Sequence, residues 1–258
     1  MSKIIYLFLL SMLFAWPAQA HDFWAGVDKA TLGEPAIVFL GFSDDFPIGE
    51  EITAEDYAKR YMPAKLIGDK GELGLEPGAK ANVFQGVSPL ENGTYFVVTE
   101  SQNSFVSRTP SGPSWKSKLE EPEATACFYG AVYGKNLFVL GEAGDEDFIA
   151  RPLGQKLEIV PQLDPGTLKP GDKFPVKVLL DGQPLAGANV GAFFAGFTAD
   201  NEALAFSQAT DQDGQVEIIP LRPGEWLAKV NHMNPYSDTK VCDRESYSAS
   251  LAFTIGAE

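Results

Sequence analysis

The chain of 258 residues holds two histidines and two cysteines. That scarcity leaves few ways to build a metal or redox site. Cys127 and Cys242 stand too far apart for the close C-x-x-C spacing of zinc and redox motifs. Basic residues are also in short supply. Twenty Lys and Arg face 35 Asp and Glu, for a net charge of −15. A surface this acidic is a poor match for nucleic acid or an anionic membrane, and neither is expected as a partner. No long apolar run follows the first twenty residues, so no spanning helix is expected beyond them. The sequence carries no serine-hydrolase elbow, phosphate loop or H-E-x-x-H motif, and no catalytic set is expected.

What is present begins at the N-terminus. Residues 1–20 read as a secretory signal peptide. Lys3 supplies the positive start, Ile4–Trp16 the apolar run and Ala18-Gln19-Ala20 the small-x-small cleavage site. The apolar run is short for a membrane span. The expected location is therefore the periplasm, with no membrane span left after cleavage. Cutting after Ala20 makes His21 the first mature residue. It then carries a free α-amine and an imidazole together. With ordinary pKa values near ~7.7–8.0 and ~6.5, both are neutral nitrogen donors at mildly alkaline pH. In an oxidising compartment, Cys127 and Cys242 are expected to form one disulfide.

The body of the chain alternates short apolar runs with Gly, Pro, Asn and Asp. Strands are expected at 36–40, 95–99, 131–139, 157–160, 174–180, 190–194, 215–219, 226–230 and 248–255. Only 53–62 reads as helix, with Thr53 as its cap. Asp211-Gln212-Asp213-Gly214 superficially resembles a calcium loop, but an Asx turn explains it. The fold class is all-β, with two β-rich domains. The first covers residues 21–150. The second, 154–258, has the strand rhythm of an immunoglobulin-like or transthyretin-like sandwich.

The opening His21-Asp22-Phe23-Trp24 is similar to the start of the DUF4198 family. The stretches Gly154–Pro161, Val178–Ala188, Thr210–Gly214 and Pro223–Trp226, running on to His232, resemble the same family. The resemblance implies a periplasmic, NikM-like component associated with nickel or cobalt uptake. A metal ion and a membrane uptake transporter are then the implied partners. Many relatives place a histidine in an early Gly-His-x-Phe-Pro stretch. Here that stretch is Gly41-Phe42-Ser43-Asp44-Asp45-Phe46-Pro47, with carboxylates and no histidine.

The candidate metal ligands are His21, through amine and imidazole, and His232, with Asp22, Asp44, Asp45 or Met233 completing the shell. Three nitrogens of this kind form a histidine brace, which suits copper and also nickel. A copper carrier or copper-dependent oxidase is thus the second reading of the same ligands. A metal-free envelope interaction module is the third. Phe23 and Trp24 are expected to anchor the first strand in the core and so fix the amine.

Overall fold

The computed structural model describes residues 21–142, 144–197 and 203–256. Residues 1–20, expected to be a signal peptide, lie outside the described residues. The protein is all-β, built as three stacked layers. The first layer pairs Asp22–Lys29 with Pro35–Ser43, then Val83–Pro89 and Leu75–Pro77. The middle layer is an eleven-stranded sheet among the described residues. Its centre runs Asn189–Phe194, Gly224–Pro235, Arg244–Ile255, Val132–Leu140, Gly93–Glu100 and Lys65–Gly68. The third layer holds Leu157–Pro161, Phe174–Leu180, Gln183–Pro184 and Gln215–Ile218.

Side chains alternate across a strand, so a sheet covered on both faces is apolar at odd and even positions alike. Gly93–Glu100 has that pattern. Tyr95 and Val97 pack with Ala25 and Val38 of the first layer. Phe96 and Val98 pack with Ile159 and Val176 of the third. From residue 154 onward the chain forms a β-sandwich, in which the third layer closes over Trp226, Ala228, Val230, Leu251 and Phe253. The connection at 147–154 separates the two halves in sequence, yet the middle sheet crosses it. Arg244–Ile255 lies parallel to Val132–Leu140, with Val132 opposite Ser248.

An ion pair joins two layers, and a disulfide ties the turn before Arg244–Ile255 to the middle sheet. Lys135, on the middle sheet, donates to Glu158 on the third layer. Cys127 and Cys242 form the expected disulfide, with a sequence separation of 115 residues. Glycine governs the fit of the first layer. A Cβ on Gly134 would meet the backbone nitrogen of Ala25 at 2.7 Å, and one on Gly41 would meet the Trp24 ring at 2.0 Å.

Helix Ala54–Arg60 starts where expected, with the Thr53 side chain accepting from the Asp56 amide. Asp211 closes the expected Asx turn, its carboxylate accepting from the amides of Asp213 and Gln215. No helix among the described residues is long and apolar enough to cross a membrane.

Candidate functional site

His21 sits at the head of the first strand. That strand is fixed by burial of Trp24, which packs edge-on to Phe46, with Phe193 and Leu227 completing the cluster. Phe23 packs separately with Leu40, Ile52 and Tyr61. The aromatic pair therefore anchors the strand, as expected, and sets where His21 emerges.

The imidazole of His21 stacks on Phe42, with ring centroids 4.6 Å apart and an interplanar angle of 15°. Its Nδ1 lies 3.6 Å from Asp44 Oδ1 and 3.6 Å from Glu50 Oε1. One imidazole thus faces two carboxylates at the surface. Asp44 comes from the segment 41–47, whose carboxylates are expected near the site. Glu50 had no signal in composition or spacing. It arrives because the turn after Phe46 folds back, and its amide donates to the Phe42 carbonyl at 3.0 Å. Phe46-Pro47-Ile48-Gly49 was the visible hint of that return.

Of the remaining candidates, Asp22 stays close enough to His21 and Asp44 to feel their charge. Asp22 is paired with Lys229 at 2.8 Å. Burial pushes its carboxyl upward, and the hydrogen bond and charge of Lys229 pull it back. Asp45 is exposed in the turn, and its amide donates to Ser43 Oγ. Met233 is exposed.

His232 stands on the other side of the middle sheet. Lys229 reaches Asp22 in the first layer, and Ser250, its partner in register, donates to the Phe23 carbonyl. Positions 229 and 231 therefore face the first layer, and 230 and 232 face away from it. His232 is opposite Tyr247, which belongs to the core shared with the third layer. Its Nε2 is buried without a hydrogen-bond partner. The two histidines are separated by the sheet, so a brace that uses both is not assembled. The sequence could not show this, because it depends on register parity between strands far apart in the chain.

A cavity of about 120 Å³ lies beside His21, lined by Asp22, Lys229, Asn231, Ser248 and Ser250 among others. Among the described residues, no three His, Cys, Asp or Glu side chains converge closely enough to hold a metal ion. The His21 set fits a metal only in part. Nitrogen and carboxylate donors suit borderline divalent ions, and the set lacks one converging donor.

The family model for a domain of unknown function, DUF4198, matches residues 18–234. The chain belongs to the DUF4198 family. The matched span includes His21, Asp44, Glu50 and His232, so the DUF4198 region holds the whole candidate site. No curated protein matches the chain in sequence. Among solved structures, the D0-D1 domain of Intimin is similar over 90% of this DUF4198 chain and 97% of its own, at 13% identity and a TM-score of 0.22. The D00-D0 domain of Intimin is similar over 92% and 100%, at 10% identity and a TM-score of 0.22. The full ectodomain (Ig1-Ig3) of mouse nectin-like molecule 4 is similar over 92% and 65%, at 11% identity and a TM-score of 0.20.

Proposed function

We propose that this protein is an exported, periplasmic metal-binding protein that captures a nickel or cobalt ion at His21 and passes it to a membrane uptake system. One observation carries the reading: the His21 imidazole faces both Asp44 and Glu50 at 3.6 Å. The ion is cargo. The missing donor is the α-amine that cleavage after Ala20 would create. Amine and imidazole on one residue form a chelate, and the two carboxylates offset the charge of a divalent ion. Phe42 holds the ring flat, so the imidazole has little rotational freedom to lose on binding. A side-chain exposure of 33% at His21 leaves the ion accessible for loading and release.

The placement of His232 gives no support to a two-histidine copper brace. A His21 chelate would still accept copper, so metals must be ranked by competition. The test is calorimetry with nickel, cobalt, copper and zinc on protein that begins at His21, and on a form with one added residue before it. Tight binding that the extra residue weakens at least tenfold supports the proposal. Equal binding by both forms, or none above buffer competition, overturns it.

A further inference from the structure

A second concavity, a cleft of about 290 Å³, has Phe42 in its lining. Its walls are Phe42, Tyr61, Trp115, Phe128 and Val132. Ligand cavities usually run from roughly 300 to 1,000 Å³, with apolar walls and a few polar groups. This one fits a single small ring.

The charge of the lining is unlike that of the chain. Acidic residues outnumber basic ones by 35 to 20 overall. Among the described lining residues, the one charged side chain is Arg60. Its guanidinium lies 4.3 Å from the centroid of the Trp115 ring. A second guanidinium, that of Arg108, lies 5.4 Å from the centroid of Phe128. Val106 lines the cleft and pairs in register with Phe128, while Arg108 pairs with Ala126. Residues two apart share a face of a strand, so Arg108 lies on the face that lines the cleft.

Trp115 is 49% exposed, a large aromatic surface left in water beside a cation. Arg60 also pairs with Asp56 at 3.2 Å. That pair is at the surface, where such contacts are worth little. It shows that this guanidinium can pair with a carboxylate.

We propose that this cleft binds a small planar organic carboxylate. The ring lies between the aromatic walls and the carboxylate pairs with Arg60. Arg108 adds positive potential, and Ser104 and Ser246 supply hydroxyls at the polar edge. The site is independent of any metal at His21, although Phe42 is common to both.

The test uses the metal-stripped protein, with sodium benzoate as probe and benzamide as its uncharged counterpart. Calorimetry and tryptophan fluorescence are read together. Benzoate should bind saturably, at least tenfold more tightly than benzamide. Arg60→Gln should weaken benzoate at least tenfold and leave the thermal midpoint unchanged. Trp115→Phe should keep calorimetric binding and remove the fluorescence change. Equal affinity for the two probes, absence of benzoate binding at millimolar concentration, or indifference to Arg60→Gln overturns the proposal. So does a dimer that dissociates on Trp115→Ala, which would give this face to a second copy of the chain.

Discussion

Lys135 Nζ lies 2.5 Å from Glu158 Oε1, and each side chain is 1% exposed. The pair joins the middle sheet to the third layer. Burial pulls the Lys135 ammonium below its ordinary pKa, and Glu158 works against that pull. Glu158 also accepts from the amides of Leu153 and Gly154. Removing one partner leaves a buried charge alone, at a cost of about 3–5 kcal/mol. Lys135→Met and Glu158→Gln should each show that loss in urea denaturation. Lys135→Met combined with Glu158→Leu should lose less than the sum. It should still fall short of the native protein, because two amides lose their acceptor.

The disulfide closes a loop of 115 residues between Cys127 and Cys242. By the chain-entropy relation, a loop of that length stabilises by about 4–5 kcal/mol, and measured values often fall below it. Reduction, or Cys127→Ser with Cys242→Ser, should lower the urea midpoint accordingly without changing the circular dichroism of the folded state. Two reactive thiols in the untreated protein would contradict the bond.

Gly134 is a point where two layers touch through backbone. An added methyl group would sit 2.5 Å from Thr99 Oγ1 and 2.7 Å from the Ala25 nitrogen. Backbone cannot step aside as a flexible side chain can. Gly134→Ala should cost at least the ~1–3 kcal/mol typical of overpacking, measured as a lowered thermal midpoint. No measurable loss would mean that the first layer sits farther from the middle sheet.

How much could be read from residues alone is clear from particular strands. The run 174–180 coincides with Phe174–Leu180, and the run 95–99 lies inside Gly93–Glu100. Both show strong apolar patterning. No strand is expected between 99 and 131, yet Ser104–Thr109 is one. That strand is one arm of a hairpin at the side of the middle sheet and has only one buried residue, so its hydrophobic signal is faint. The site divided in the same way. His21 and Asp44 were legible as donors because they are adjacent to recognisable sequence. Glu50 joined them through a turn, and His232 was placed on the wrong side by register, which no spacing rule encodes.

Asp243 gives the pH dependence a defined sign. Its carboxylate accepts from Lys118 and from the Cys127 amide, and the Lys118 hydrogen bond chiefly holds its pKa below the ordinary 3.8. The stability it adds is complete above that value and is lost as pH falls through the lowered folded pKa. The carboxylate is partly exposed, so solvent screening keeps its share to about 1 kcal/mol or less at neutral pH. Asp243→Asn should therefore be slightly less stable than the native protein at pH 7. The gap in thermal midpoint should close as pH drops below the ordinary carboxylate range. A gap that widened with acid would contradict the assignment.

The two histidines should behave differently towards metal. His21→Ala should abolish nickel and cobalt binding to within the limit of calorimetry. Asp44→Asn and Glu50→Gln should each weaken it by about tenfold, the scale expected for loss of a single donor or its supporting group. His232→Ala should leave affinity unchanged. Loss of binding in the His232 variant, with its fold intact, would require a site that spans the sheet.

The strand Arg244–Ile255 occupies the middle of the central sheet, hydrogen-bonded to Gly224–Pro235 on one side and Val132–Leu140 on the other. A ribosome delivers it after nearly everything it must join. Until it arrives, the strand at 132–140 has an open edge, and open edges invite pairing with other chains. Contacts between residues this distant in sequence also form slowly. A chain that has not yet set Arg244–Ile255 in place therefore exposes a pairing edge, and a chaperone that covers such edges is expected to raise its folded yield.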